Sequence, residues 1–196
     1  MTETGFTNAP IDSTYAFRTI MQAMSRPGVP VRLEAALEVP APLHVTSAAV
    51  ALTLCDFQTP VWISPVLRNE GTVHYLRFHT GAPIVDEMET AQFALLSAAE
   101  ERPPLPLFAQ GTHEYPDRSA TLVIQTEQFN DRAVVLTGPG IKGTVGFGVE
   151  GLAQAFWTAM ADNHERFPVG VDVIFAAPES LAAVPRSSVV RIVEMV

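Results

Sequence analysis

The chain has 196 residues, 47% of them hydrophobic, and 21 acidic against 12 basic residues give a formal net charge of −9. This length fits one domain, predicted over residues 1–196, and the acidic balance argues against nucleic acid or an anionic membrane as a partner. The single cysteine, Cys55, excludes an internal disulfide and a cysteine metal cluster. Because the sequence shows neither a signal peptide nor an apolar run near the ~20 residues that span a bilayer, we expect a soluble, cytoplasmic protein.

The first predicted element is a helix that follows a loose N-terminal arm, residues 1–10. Asp12 or Ser13 can cap this helix, because both side chains accept hydrogen bonds from free backbone N–H groups. Pro27 and Gly28 are expected to end it. The residues at helical spacing that predict its core face are Phe17, Ile20, Met21 and Met24.

The middle of the chain is predicted to contain a second helix, capped by Thr46 or Ser47, and then two strands. Residues 60–63 have the pattern of a buried strand. Residues 74–79 alternate, which predicts a strand with Arg77 and His79 on one face. The periodicity of residues 91–96 does not decide between strand and helix.

The second half of the chain is predicted to alternate strands and helices. The strand at residues 120–124 is expected to pair with residues 133–137 in an antiparallel hairpin. Later elements are a helix ending near Asn163, a strand at 171–175, a short helix at 178–183 and a last strand at 189–193. Helices that alternate with a mixed sheet predict an α/β fold, with α+β as the alternative.

A glycine-rich stretch follows the strand at 133–137, with six glycines in the fourteen residues from Gly138 to Gly151. A strand, a glycine loop and a helix together form the arrangement that binds phosphate, because helix N-termini present free N–H groups. The pattern G-x-G-x-x-G occurs twice, but the helical pattern starts only near Val149, too far from the strand for a dinucleotide site. A conformational role for the glycines is therefore the favoured reading.

Motifs for self-sufficient catalysis are missing from the sequence. It contains no G-x-S-x-G and no H-E-x-x-H, so it predicts neither an α/β-hydrolase nor a zinc protease. Lys142, the only lysine, lies in the glycine loop without a P-loop pattern. His79 beside Arg77 could hold an anion, although a structural histidine is the favoured reading. Asp172 stands in an apolar strand and needs a partner, for example an arginine, in a structural, interface or ligand role.

Several stretches, taken in order, cover nearly the whole chain: FRxxMxxMSRPG from Phe17, HTG from His79, GT from Gly111, YPD from Tyr115, SAT from Ser119, LTGPGI from Leu136, FPVGVD from Phe167 and PR from Pro185. Together they resemble one family, the H subunits of the bacterial phosphonate carbon–phosphorus (C–P) lyase system (PhnH).

The resemblance implies a three-layer mixed sheet flanked by helices, similar to pyridoxal-phosphate-dependent transferases but without that cofactor. It also implies a cytoplasmic homodimer that joins the G, I and J subunits. In that system the I subunit, assisted by G, H and L, forms α-D-ribose 1-alkylphosphonate 5-triphosphate from MgATP and an alkylphosphonate. The J subunit then breaks the C–P bond with an iron–sulfur cluster and S-adenosylmethionine, a step that a chain with one cysteine cannot perform.

The resemblance supplies no established catalytic residue and no metal ligand for this chain. Its matching motifs nevertheless contain residues without an evident packing role, for which a ligand or interface role is expected: Arg26, His79, Thr80 and Asp172, with Gly138, Pro139 and Gly140 as a phosphate-contacting loop.

Three hypotheses about function follow. The first is an assembly subunit of the C–P lyase core complex without a complete active site. The second is an independent phosphate- or nucleotide-binding enzyme that uses the loop from Gly138 to Gly143 and His79. The third is a vitamin B6 enzyme with an aldimine on Lys142.

Overall fold

The computed structural model describes residues 4–193, which form helices on both faces of a mixed sheet. The helices are α1 (Ala9–Ser25), α2 (Val45–Leu54), α3 (Glu70–Thr80) and α4 (Gln154–Glu165). The strands are β1 (Val31–Arg32), β2 (Val61–Ile63), β3 (Ile84–Val85), β4 (Phe93–Ser97), β5 (Thr121–Gln125), β6 (Phe129–Thr137), β7 (Val145–Val149), β8 (Asp172–Ala177), β9 (Ser180–Val184) and β10 (Val189–Ile192).

Seven strands form the large sheet, in the order β1-β9-β8-β5-β4-β2-β3, and the other three form a small antiparallel sheet in the order β10-β6-β7. In the large sheet β8, β5, β4, β2 and β3 run parallel to one another, and β9 is antiparallel to both of its neighbours. This mixed sheet with helices confirms the predicted α/β class.

The large sheet is buried on both faces, because alternate residues of its strands enter two different cores. On one face Leu95, Val123 and Ile174 pack against α1, α2 and α3. On the other face Leu122 and Phe175 pack against α4 and the small sheet. The nearly continuous burial of β4, β5 and β8 is typical of central parallel strands. The result is three layers.

The predicted hairpin between residues 120–124 and 133–137 is wrong. The first segment, β5, pairs in parallel with β4 and β8, whereas the second belongs to β6 and pairs with β7 and β10. The short connection suggested a hairpin, but burial on both faces favours the central position in the large sheet for β5.

The strand predicted at residues 74–79 is also wrong, because this segment lies in α3. The Asn69 side chain caps the helix by accepting a hydrogen bond from the Thr72 N–H at 2.8 Å, and Gly81 ends it with φ of +71°. The buried residues Thr72, Tyr75 and Leu76 have helical spacing. A window of six alternating residues is too short to distinguish the period of a helix from that of a strand.

The helix predicted at residues 178–183 is a strand, β9, which forms a hairpin with β8. Its alanines favoured a helix locally, but pairing with β8 decides the structure. Ala182 and Ala183 are fully buried on opposite faces of the sheet, and the small side chain of Ala183 lies in the core that α1 shares.

The predicted core face of α1 is wrong in part. Ala16, Ile20 and Ala23 are the buried residues of this helix, whereas Phe17 and Met21 are about half exposed, at 47% and 51%. Two alanines and Ile20 face the core on this side of the sheet, so Phe17 and Met21 lie on the flank of the helix. The helix begins at Ala9, after Asn8, rather than at Asp12 or Ser13.

Other boundaries are close to the predictions. The helix α2 begins at Val45, one position before the predicted cap, and α4 ends at Glu165. Residues 91–96 resolve as the strand β4, and the last strand is confirmed as β10. The predicted N-terminal arm lies partly outside the described residues, and its Ala9 and Pro10 belong to α1.

Candidate functional site

Asp172, the first residue of β8, forms a two-pronged ion pair with Arg186. The Arg186 Nη2 lies 2.6 Å from Oδ2, its Nε lies 3.1 Å from Oδ1, and its backbone N–H donates to Oδ1 at 2.8 Å. Both side chains are mostly buried, with exposures of 16% and 14%. The predicted need of Asp172 for an arginine partner is confirmed.

Arg186 also joins three neighbouring segments to β8. Its Nη1 donates to the carbonyl oxygens of Pro116 at 2.7 Å and Pro168 at 3.4 Å, and its own carbonyl oxygen lies 3.0 Å from Nδ1 of His164. The guanidinium therefore uses its donors within the chain, and it ties the end of α4 and two loops to β8.

The Gly138 to Gly140 loop connects β6 to β7, so no helix N-terminus follows it. The strand, loop and helix arrangement expected for phosphate is therefore wrong. A Cβ at Gly138 would lie 3.1 Å from the Ser187 carbonyl oxygen, and one at Gly140 would collide with that of Ser25. The favoured conformational role is confirmed at both glycines, which have φ of +125° and +80°.

Arg26 follows α1 directly, as predicted for the helix end, and its backbone N–H donates to carbonyl oxygens of Gln22 and Ala23. The side chain of Arg26 is exposed, and its neighbours Ser25 and Pro27 contact Gly140. The structure therefore brings Arg26 and the loop together.

His79 and Thr80 are the last residues of α3. The Thr80 hydroxyl donates to the Leu76 carbonyl oxygen at 2.7 Å and accepts from the Ala82 N–H at 3.0 Å. The His79 ring centroid lies 4.5 Å from that of Tyr75, and a Cβ on Gly5 would lie 2.6 Å from its Nδ1. Because residues two apart in a helix point in nearly opposite directions, Arg77 does not share the face of His79.

The predicted residues fall into two groups at the edge of the sheet where the parallel strands begin. In the first group, the backbone N–H of Gly28, two residues after Arg26, donates to the Ala183 carbonyl oxygen of β9. Gly138 lies against Ser187, which follows Arg186, the partner of Asp172. His79 and Thr80 precede β3, four strands away from β8 in the sheet order. At ~4.8 Å per strand this separation is about 19 Å, so one small ligand does not reach both groups.

At the opposite edge, where open α/β sheets usually bind ligands, the N-terminus of α2 covers the ends of β5 and β8. The Gln125 side chain accepts from the His44 N–H at 2.7 Å and donates to the Pro42 carbonyl oxygen at 2.8 Å. Thr46 donates to the Ala177 carbonyl oxygen at 2.7 Å. A depression beside Ser97 and Gln125 has a volume of only about 110 Å³, below the ~300 Å³ from which ligand pockets usually start.

Larger depressions in the described part of the chain are open, and two of them lie along α1 and α3. The α1 groove, beside Arg32 and Ala36, has a volume of about 540 Å³, and the α3 depression, beside His74 and Arg77, about 630 Å³. Neither is lined by any of the predicted site residues. Over residues 4–193 no group of three or more His, Cys, Asp or Glu is placed to hold a metal ion, and no helix of the described chain could cross a membrane.

Burial shifts the pKa values of Cys55 and Arg102, and both residues are far from the predicted site in sequence. Burial, with a smaller contribution from Asp56, raises the pKa of the Cys55 thiol from 9.0 to about 12. Burial lowers the pKa of Arg102, and Glu100 opposes this effect. Since a thiol must ionise to act as a nucleophile or ligand, burial and a raised pKa make Cys55 poorly suited to either role at neutral pH.

Sequence reasoning missed two residues that organise this region, Asn163 and Arg186. Asn163 is fully buried and bonds both backbone groups of Val171, from its Nδ2 to the carbonyl oxygen at 3.0 Å and from the N–H to its Oδ1 at 2.9 Å. Arg186 was visible only as part of a matching motif. Its pairing with Asp172 depends on the β8–β9 hairpin, which the sequence did not predict.

The fold and this polar cluster define a mixed-sheet α/β protein in which Asp172, through Arg186, is tied to neighbouring segments of the chain. The family model for bacterial phosphonate metabolism protein (PhnH) matches residues 4–191. The chain therefore belongs to the PhnH family.

Two relatives extend this result. The chain is 39% identical, over 184 residues, to the alpha-D-ribose 1-methylphosphonate 5-triphosphate synthase subunit PhnH of Rhizobium meliloti (strain 1021), a match that covers 93% of this chain and 92% of that protein. It is 27% identical, over 201 aligned positions, to the putative C-P lyase subunit protein HtxG of Stutzerimonas stutzeri, covering 96% and 95% of the two chains.

Proposed function

We propose that this chain is the H subunit of a C–P lyase core complex for organophosphonate catabolism. In this role it supports the formation of α-D-ribose 1-alkylphosphonate 5-triphosphate from MgATP and an alkylphosphonate, with adenine displaced. The observation that carries the proposal is the end-to-end similarity to the Rhizobium meliloti synthase subunit, at 39% identity over 93% of the chain.

The subunit acts in assembly rather than in catalysis. Two features support this: Arg186 and Asp172 direct their charged groups at each other and at the backbone, and the glycine loop packs on Ser25. The depression at the usual ligand edge of the sheet, about 110 Å³, also has little room for a nucleotide.

The proposed partners are a second copy of this chain and the G, I and J subunits, in the cytoplasm. The net charge of −9 supports a protein partner over nucleic acid or an anionic membrane. MgATP, the iron–sulfur cluster and S-adenosylmethionine are assigned to other subunits of the complex. The residue types support this, since Cys55 is the only cysteine and the only lysine, Lys142, lies exposed in the β6–β7 loop.

The alternative, an independent phosphate- or nucleotide-binding enzyme, has no structural support at the residues that suggested it. The glycine loop leads into β7 instead of a helix, and His79 belongs to a helix about four strands away from β8 in the sheet order. A calorimetric titration of the isolated chain with MgATP tests this alternative directly. Saturable binding at micromolar concentration would favour the alternative.

Co-expression of the tagged chain with the G, I and J subunits, followed by affinity purification and native mass, tests the proposal. We expect a stoichiometric complex. Folded G, I and J that do not co-purify with the chain would overturn it.

The same experiment tests the expected interface role of Arg26, whose side chain is exposed beside the Gly140 loop. Arg26→Ala should weaken recovery of the complex without changing the stability of the isolated chain. Arg132→Ala is the matched control, since the Arg132 side chain is 91% exposed. Equal recovery of both variants would exclude the role for Arg26. Ligand or interface roles for His79, Thr80 and Asp172 stay predictions.

A further inference from the structure

The segment after α1 is an edge strand that is only partly paired. From Val31 to Val39 the residues alternate between more buried and exposed positions, which is the period of a β-strand. Only Val31 and Arg32 pair with β9, and the Leu33 N–H donates to the Glu179 carbonyl oxygen at 3.0 Å. The segment therefore lies at one end of the large sheet. Its outer side is available at Arg32 to Glu34, whereas farther along the Glu38 N–H donates to the Thr4 carbonyl oxygen at 3.1 Å.

The direction of one hydrogen bond indicates which backbone groups face outward. In an antiparallel ladder the N–H and C=O of alternate residues point to the same neighbouring strand. Because the Leu33 N–H points toward β9, the backbone groups of Arg32 and Glu34 point away from the sheet. On that side lies the groove of about 540 Å³, between Arg32, Glu34 and the outer face of α1.

The side chains of this edge are complementary to themselves. Arg32 and Glu34 are both exposed and flank Leu33, and within one chain they form an ion pair at 3.2 Å. If two such edges pair antiparallel about a twofold axis at Leu33, Arg32 of each copy lies directly opposite Glu34 of the other. Opposite charges at such positions stabilise strand pairs, and like charges destabilise them.

We propose that a second copy of this chain pairs with the edge at Arg32 to Glu34, so that the two large sheets join into one across a twofold axis. This inference rests on the homodimer proposed above and names its surface. Unprotected edge strands form such pairs readily, and a self-complementary patch is what a twofold interface requires.

The outer face of α1 enlarges the contact. Asp12 and Arg18 lie on this face and line the groove, and Ile11 and Tyr15 expose 52% and 64% of their surface on the same helix. A stable dimer buries about 1,200 Å² or more in total, which three paired residues alone do not supply. The two copies of α1, lying below the joined edges, provide the additional apolar and charged surface.

Charge reversal tests the proposal through the mass of the full chain in solution, by light scattering at several concentrations. Arg32→Glu places two glutamates opposite each other at both symmetric positions, and Glu34→Arg places two arginines there. Each variant should dimerise about tenfold more weakly than the unchanged chain, or worse. A mixture of the two variants should form a heterodimer, because the opposing charges are then complementary again, and distinct tags identify it by native mass.

Two controls make the result specific to the edge. Arg68→Glu reverses one member of another exposed ion pair, Arg68 with Asp86 at 2.7 Å, and should leave dimerisation unchanged. Glu34→Pro removes an N–H that points outward, in an extended segment that proline tolerates, and should give folded monomer.

The proposal is overturned if the unchanged chain is monomeric, if single reversals or Glu34→Pro leave the dimer intact, or if the mixture does not recover dimer. A chain that is monomeric alone yet co-purifies with G, I and J would overturn only the edge pairing. An edge-paired dimer that never joins those subunits would instead contradict the proposed function.

Discussion

Asp172 illustrates how a carboxylate is accommodated at the start of an otherwise apolar strand. Three donors from Arg186, two from the guanidinium and one from the backbone, satisfy its oxygens. The pair then has little contact with solvent, so each charge depends on the other. Removing one partner leaves a mostly buried charge without compensation.

We therefore expect Asp172→Ala to lower the free energy of unfolding by about 2–4 kcal/mol, measured by urea denaturation. Asp86→Ala is the control, because the Asp86 side chain is 79% exposed in its ion pair with Arg68, and exposed pairs contribute about 0–1 kcal/mol. The double variant Asp172→Ala with Arg186→Met should recover part of the loss, since no charge then stays unpaired. Equal losses for Asp172→Ala and Asp86→Ala would contradict this account.

Cys55 should make the stability of the protein depend on alkaline pH. Its pKa is about 12 in the folded chain and 9.0 as the ordinary value, so the folded state holds the proton more tightly. The resulting stabilisation is complete below pH 9 and is lost as pH rises from about 9 to about 12, by roughly 1.4 kcal/mol per pH unit.

The measurement is urea unfolding of the unchanged chain and of Cys55→Ala, at pH 7.5 and again at pH 10. Between these values the unchanged chain should lose about 1 kcal/mol more than the variant. Because each protein is compared with itself at the two pH values, the contributions of other titrating groups and any packing cost of the substitution cancel between the two losses. Parallel losses in both proteins would show that the thiol ionises freely when folded.

Among the elements, the β6–β7 hairpin is tied to α1 through the close approach of Gly140 to Ser25. Alanine at Gly140 meets two obstacles: φ of +80°, and the Ser25 carbonyl oxygen in the place of its Cβ. Gly143 in the same loop has nearly the same φ, +79°, but nothing lies within 4 Å of a Cβ there. Alanine substitutions at the two positions therefore distinguish the cost of the left-handed backbone from the cost of the contact with α1.

We expect Gly143→Ala to cost about 1–2 kcal/mol of unfolding free energy, which is the cost of a left-handed residue with a side chain. Gly140→Ala should cost at least about 1 kcal/mol more, because the loop must move away from α1. Thermal unfolding of both variants measures the difference. Equal costs would mean that the loop tolerates displacement from the helix.

The sequence was sufficient for elements whose pattern is local and long enough. The class of fold, the strands around Val123 and Ile174, and the end of α1 at Arg26 were predicted from burial patterns and turn residues. Position in a sheet was not predictable, because strand order depends on which faces are buried after folding. This is why β5 was wrongly paired and the alanine-rich β9 was predicted as a helix.

The candidate site depended still more on long-range structure. The sequence indicated that Asp172 needed an arginine but could not choose among eleven. The pattern at His79 predicted a strand because the cap at Asn69 lay outside the alternating window. The missing information was the pairing of segments distant along the chain, and it decides which predicted residues meet.

Across the whole molecule, Phe175 connects the two sheets and α4. Its ring centroid lies 5.6 Å from Phe147 of β7 and 5.9 Å from Trp157 of α4, and these side chains are fully buried. Phe175→Ala should therefore cost about 3–5 kcal/mol. Phe78→Ala, at a side chain that is 63% exposed, is the control and should change stability little.

The shared core also predicts that the described chain unfolds as one unit, as expected for a single domain over residues 1–196. Trp62 lies in the large sheet and Trp157 in α4, so Trp62→Phe and Trp157→Phe each leave one tryptophan that reports on one region. In each variant, urea midpoints from fluorescence and from circular dichroism should coincide, because breaking the contacts of Phe175 exposes both layers together. Adding Phe175→Ala should lower both midpoints together, whereas a tryptophan signal that keeps its midpoint would reveal a second unit that folds independently of the other.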